Sequence, residues 1–377
     1  MTQVALSGQV GRSESWLAKI ERGERTIEAI KDLLMLARVL RVKPVDLIGG
    51  IELPTNGGGP LDPPKGIIAV RRAIQGVLRV GERGAPAVED LQRDVDRVRR
   101  LDASGFYEGL SLALPQLIIE CRRAAEQEME GAWECLAGAY QTASSLARTA
   151  GESELTWIAA DRAAGAAERS GNLVMVGLSR QRLVSALLEQ GWLDDAGTVC
   201  SDALDAVAPS DGSSREGWTV WGLLHLVGAL TSARGGDIGA ARRELRDARA
   251  AAERVGAGAN DFWEAFTPES VGVMEVAVEL EGGDVATALR LADRVVVDQV
   301  ATPERRAHHC LTVAKAHTLR QHDGAAEAQL LEAERHAAEV LRYSVQAHEI
   351  VRLMLKRERK SQTPRLRGLA ERMGIKA

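Results

Sequence analysis

Aromatic side chains are scarce in this chain: seven Trp, three Tyr and three Phe make up 3% of 377 residues. A large β-sandwich or barrel takes its cross-strand packing from aromatic and β-branched residues, so such a sheet is poorly supplied here. Cysteine is scarce too. Cys121, Cys135, Cys200 and Cys310 lie far apart with no CxxC pair, which argues against a zinc site or a disulfide framework. These thiols are expected to be buried or idle. No uncharged run reaches the ~20 residues that a membrane span needs, and no charged-then-apolar opening precedes a cleavage site. A cytoplasmic protein with no membrane partner is expected. Catalytic signatures are also missing, since HExxH, GxxxxGK[ST] and GxSxG do not occur. His308, His309 and Cys310 are consecutive, so on a helix they point about 100° apart and cannot close on one metal ion. No enzyme, cofactor or metal is expected.

What is present favours helices. Ala, Leu, Arg and Glu dominate after residue 65, within a chain that is 45% hydrophobic and 27% charged. These side chains lose little freedom in a helix. The net charge of −5 argues against general adhesion to nucleic acid. Charge is uneven, however: residues 1–50 carry eight Lys/Arg against six Asp/Glu, so any such affinity is local. The stretch "GGIELPTNGGGPLDPPKG" (49–66) holds six glycines and four prolines and reads as a flexible linker. It divides a head, 1–48, from a helical body, 67–377.

The head reads as a set of short helices. Thr2 can cap one through Leu6 and Val10, ended by Gly11. Ser13 caps the next, with Leu17 and Ile20 facing inward until Gly23 stops it. "TIEAIKDLLMLARVL" then places Ile27, Ile30, Leu33, Leu34, Ala37 and Leu40 on one face, and "PVDLIG" gives a last turn. Two helices joined by a three-residue corner form a helix-turn-helix. The N-terminal residues of its second helix then meet base edges in a DNA major groove. Glu14 suits a cytosine amino group, Lys19 a guanine, and Ser15 either partner. Arg12, Arg22 and Arg25 flank them where phosphates pass. The bland alternative is a solvated helix face.

The stretch "TQVALSGQVGRSESWLAKIERGER…LLMLARVLRVKPVDLIG" resembles the XRE family of helix-turn-helix domains, the phage Cro/cI repressor type. The marks are Thr2-Gln3, Ile20-Glu21-Arg22-Gly23, the Leu36–Leu40 run and Asp46-Leu47. The resemblance covers about the first 48 residues. It implies that Glu14, Ser15 and Lys19 read bases, while Gln3, Arg12, Ser13, Trp16, Arg22 and Arg25 lie along the DNA backbone. In that family a further helix precedes the Thr-Gln pair. The resemblance therefore implies that Met1 is an internal methionine, with an arginine-rich amphipathic helix encoded upstream.

Four turns in the body share a pattern: "QGWLDDA" (190–196), "GGDIGAA" (235–241), "GGDVATA" (282–288) and "HDGAAEA" (322–328). Their closing residues Ala196, Ala241, Ala288 and Ala328 fall 45, 47 and 40 residues apart. Each turn follows a helix with a small residue or valine at a matching place: Val184, Ala229, Val276 and Ala316. Small residues let antiparallel helices approach, and repeated hairpins stack into a solenoid. The pattern resembles tetratricopeptide repeats with helices longer than the usual ~34-residue unit allows. Trp133, Trp157, Trp192, Trp218, Trp221 and Trp263 read as core residues, Trp218 and Trp221 being the pair best placed to line an inner groove. The basic tail 356–377 is expected to cap the solenoid through Leu366, Leu369 and Met373.

The expected fold is thus all-α, a helix-turn-helix head lacking its first helix plus a tetratricopeptide-like α-solenoid. The resemblances imply a bacterial sequence-specific regulator of transcription that binds double-stranded DNA. A peptide, small molecule or protein effector would occupy the solenoid groove, and a homodimer would pair the heads on half-sites about 10 bp apart. The alternative is a protein–protein interaction scaffold whose head no longer binds DNA.

Overall fold

The computed structural model describes residues 6–7, 13–21, 36, 39, 63–76, 84–210, 213–256, 261–264, 266–357 and 364–375. Every regular element among them is helical, with no strand. The chain divides into two compact units, Met1–Pro60 and Leu61–Ala377. Several expectations fall outside the described residues: the Thr2-capped helix beyond Leu6-Ser7, Gln3, Arg12, Arg22, Arg25, the "PVDLIG" turn and linker positions 49–62.

In the first unit α1 (Glu14–Glu21) starts as its sequence demands. The Trp16 N–H donates to Ser13 Oγ at 3.2 Å, giving a first-turn donor the partner that a helix cannot supply itself. Leu17 is 3% exposed and packs with Leu6 and Leu36. Val39 and Trp16 lie against this cluster, partly buried. Leu36 thus belongs to the small core although the expected inward face omitted it. Leu36 and Val39 sit three apart, one helical stripe.

The second unit begins earlier than position 67. Pro64 is buried, and the Gly66 N–H donates to Ser111 Oγ at 3.1 Å. Residues 63–66 of the expected linker are therefore part of the body. Gly66 is required there, because an added Cβ would lie 2.2 Å from the Ser111 carbonyl oxygen. Gly66→Ala is expected to destabilise the body by about 1–3 kcal/mol through overpacking. Urea unfolding checks this, and an unchanged midpoint would mean that this approach is not rigid.

After α2 (Ile67–Gln75), α3 (Val88–Ala103) and α4 (Tyr107–Glu126), helical hairpins follow in series. They are α5 (Ala132–Thr149) with α6 (Ser153–Ser170), and α7 (Leu173–Gln190) with α8 (Leu193–Ala206). Next come α9 (Arg215–Arg234) with α10 (Ile238–Val255), α11 (Pro268–Glu281) with α12 (Val285–Ala292), and α13 (Pro303–Leu319) with α14 (Asp323–His336). The chain reverses through Gly191, Gly236 and Gly283, whose φ values of 76°, 85° and 87° are left-handed, a conformation open to glycine at no steric cost. Five residues after each comes an alanine with 0% exposure: Ala196, Ala241 and Ala288. Across the contact lie Val184, Ala229 and Val276, also 0% exposed. Side chains this small allow helix axes to approach to about 8–10 Å.

The fourth turn has a different register from the expected one. Gln321, not a glycine, occupies the left-handed position with φ 59°. Five residues later Ala326 is fully buried, while Ala328 is exposed. The glycine at 324 is already inside α14, so it does not mark the turn. The tail closes the series as expected. Beyond α15 (Ala338–Tyr343) and α16 (Val345–Arg357), α17 (Pro364–Arg372) buries Leu366 and Leu369, and Met373 follows.

The series also meets itself. Tyr343 on α15 donates its hydroxyl to Glu108 Oε1 at 2.6 Å, and Glu339 Oε2 accepts the Glu108 N–H at 2.9 Å. Gly105 lies so close to Ala337 that a Cβ there would stand 2.9 Å from the Ala337 methyl. Helices α13 and α15 touch α3 and α4. The body is a closed turn of superhelix rather than an open groove.

Candidate functional site

Two places carry candidate chemistry. On α1, Ser15 and Lys19 are exposed and one helical turn apart, and Ser13 is exposed at the cap. Glu14 opens the same helix. The structure thus brings Ser13, Ser15 and Lys19 to the outer side of a helix whose Leu17 faces the core. Trp16 differs: it is half-buried against Leu6, Leu17 and Leu36, so packing explains much of its presence.

The second place is the interior of the superhelix. The first helix of each hairpin, together with α3, faces a cavity of about 360 Å³. Its walls mix charged and apolar side chains. Arg99, Arg148, Arg182, Arg234, Arg305 and Lys315 face Asp102, Glu189, Glu264, Glu281 and Glu304 across it. One end is balanced, for Glu281 accepts from Lys315 at 2.9 Å and lies 3.4 Å from Arg234. The other end is richer in cations. Arg99 donates to the neutral Gln141 Oε1 at 3.2 Å, and burial lowers its pKa, with Glu264 offsetting part of the effect. Arg148 acts on Glu304 by its charge alone among the described residues.

A short segment of the chain, residues 262–264, lines this cavity. Between α10 and α11, residues Asp261–Trp263 form one 3-10 turn, with Phe262 at φ 56° and Trp263 at φ 62°. Two successive bulky residues in the left-handed region cost of order 1 kcal/mol each, so surrounding contacts must hold them. They do. Arg215 and Thr219 donate to the Asp261 carboxylate at 2.6 and 3.0 Å. The Arg99 guanidinium lies 5.7 Å from the Phe262 ring and Arg100 lies 5.4 Å from that of Trp263, within cation–π range. Glu264, its side chain 12% exposed, accepts from Arg182 at 2.5 Å and Arg305 at 3.4 Å.

Burial and the nearby charge of Glu304 raise the Asp102 carboxyl to about 7, against the hydrogen bond that Ser145 donates to it at 3.1 Å. Glu304 goes the other way. Burial alone would raise it, but His308, 3.1 Å away, and the Arg305 and Arg148 charges hold it near 2. At neutral pH Glu304 is therefore ionised, whereas Asp102 is in the middle of its titration. Burial also lowers His309 to about 4. The triplet 308–310 divides as helical spacing requires, with His308 and His309 lining the cavity and Cys310 fully buried in the core.

Trp218 and Trp221 lie where their reading as core residues puts them, whereas Trp263, also read as core, lines the cavity. Trp218 and Trp221 stack edge to face at 5.7 Å and pack partly buried against the core. Phe262 and Trp263 line the cavity instead. A signal was available, because two of the three phenylalanines and one tryptophan fall within residues 262–266 of an aromatic-poor chain. No family model matches the chain, and no curated protein matches it. Among solved structures, that of BtubC (BKLC) from P. vanneervenii is similar over 65% of this chain and 90% of its own, with 15% identity and a TM-score of 0.40.

Proposed function

We propose that the chain is a sequence-specific DNA-binding regulator of transcription whose helical body binds an effector. The observation that carries the reading is the exposure of Ser15 and Lys19 on α1, a helix capped by Ser13 and anchored by Leu17. A polar, partly basic helix N-terminus held outward by its own core suits the edges of bases in a major groove. The resemblance of residues 1–48 to XRE-type heads supports the same role. The body contributes the cavity, which has the volume of a small-ligand site. The charged groups in its walls suit recognition more than storage of an apolar molecule.

Lys19→Ala tests the head. One major-groove contact is lost, so specific binding is expected to weaken by about 1–3 kcal/mol and preference to relax at one base pair. Selection of bound fragments from genomic DNA, with the unmodified chain and the variant in parallel, reads both effects. An unchanged motif would show that Lys19 does not read a base. Failure of the unmodified chain to enrich any fragment would favour a scaffold without DNA-binding activity.

A further inference from the structure

Phe262, Trp263 and Glu264 form part of the cavity's wall. The fastenings of this segment are on α9: Asp261 is held by Arg215 and Thr219, and Phe266, 1% exposed, rests against Gly222. Between these points the segment offers its side chains to other helices. Phe262 and Trp263 meet the guanidinium groups of Arg99 and Arg100 on α3. Glu264 reaches Arg182 on α7 and Arg305 on α13. A loop that only had to join α10 to α11 has no need of two aromatic residues at positive φ, aimed inward, followed by a carboxylate shared by two arginines.

We propose that the cavity is a recognition site for a carboxylate set beside an aromatic ring, and that Phe262-Trp263-Glu264 is its internal occupant, which a ligand of the same chemistry replaces. Removal of Glu264 leaves Arg182 and Arg305 facing the cavity without that anion. Among the described residues, Arg99 has no carboxylate hydrogen-bonded to it even with Glu264 in place. Gln181 adds a second kind of demand: its Oε1 is buried on the same wall with no hydrogen-bond donor, and an N–H of the incoming group satisfies it. An anion alone uses the arginines but leaves the aromatic shelf empty, and an aromatic ring alone leaves the arginines without a partner. This assignment rests on reading the cavity as the effector site.

The test uses the full chain and calorimetric titration without DNA. The probes are acetyl-Asp-Phe-Trp-Glu-amide, its counterpart ending in Gln, and 3-phenylpropionate. A chain carrying Phe262→Ser, Trp263→Ser and Glu264→Gln is expected to bind the Glu peptide at least tenfold more tightly than the unmodified chain does. It is expected to bind the Gln peptide at least tenfold more weakly than the Glu peptide. Glu264→Gln alone, with the aromatic pair kept, is expected to shift affinity in the same direction and decides the matter if the triple variant does not fold by circular dichroism. Phenylpropionate competing with the peptide identifies a free aromatic acid as sufficient, whereas binding of the peptide alone identifies a chain segment; either supports the assignment. Equal affinity of opened and unmodified chains, equal affinity for the Glu and Gln peptides, or no binding by any chain overturns it. Because binding is read without DNA, a chain that takes the peptide but enriches no DNA fragment overturns the regulator reading and leaves the cavity assignment standing.

Discussion

Asp102→Asn is expected to stabilise the chain by about 2–4 kcal/mol at pH 8, and by less than half of that at pH 5. The sign follows from linkage. Burial and Glu304 raise the Asp102 carboxyl from 3.8 to about 7. Below 3.8 the group is protonated in the folded and the unfolded chain, and it costs nothing. As pH rises, the unfolded chain releases the proton first, so folding stability falls until the folded carboxyl also ionises near 7. A shift of this size corresponds to about 4 kcal/mol at most, and the cavity of about 360 Å³ beside Asp102 reduces it by giving the carboxylate access to water. Asparagine keeps an acceptor for Ser145 and carries no charge, so it removes the penalty without removing the hydrogen bond. His309 works in the opposite sense: its contribution is present above 6.5 and is lost as pH falls through about 4. It is common to both chains and cancels in the comparison. Thermal unfolding from pH 5 to 8 measures the difference. Curves that stay parallel across that range would refute a protonated Asp102.

Tyr343→Ala is expected to cost about 3–5 kcal/mol, the usual range for emptying a buried aromatic site. Tyr343 is 1% exposed, and its hydroxyl donates to Glu108 Oε1 at 2.6 Å, joining α15 to α4 across most of the chain. Tyr343→Phe keeps the ring and removes only the hydroxyl, for about 0.5–1.5 kcal/mol. It also lifts the Glu108 pKa, which the Tyr343 hydrogen bond holds below the ordinary range. Stacked hairpins contact mainly their neighbours, so most of the series is stabilised locally. The Tyr343–Glu108 junction is different, because it joins the two ends. Amide hydrogen exchange is therefore expected to rise in α3, α4 and α15 of the alanine variant and to stay slow in α9 and α10. Uniform loss of protection through the body would show that closure is not a separate contribution.

Much of the local structure is legible without coordinates. Ser13 caps α1, and Gly191, Gly236 and Gly283 reverse the hairpins, because capping and left-handed turns depend on residues only a few positions apart. The small pairs Val184 with Ala196, Ala229 with Ala241 and Val276 with Ala288 are equally plain, since helical periodicity puts them in one contact. The fourth turn misleads for a local reason: Gln321 accepts a conformation that sequence rules assign to glycine, so the register reads two residues late. Positions 63–66 look like linker because proline and glycine are there. Only the approach of Gly66 to Ser111 shows that this stretch is packed.

The all-α character, the hairpin series and the tail helix are thus determined by the sequence itself, through propensity, period and turn chemistry. The cavity is decided by tertiary structure alone. Arg99, Arg182 and Arg305 each look like a solvated charge on an ordinary helix surface, and none of them has Glu264 anywhere near it in the sequence. They converge because the superhelix closes through Tyr343 and Glu108, and Glu264 then finds two of them at once. The physical reason is range: caps and helical faces act over a few residues, whereas ion pairs among separate hairpins exist only once the chain has come round upon itself.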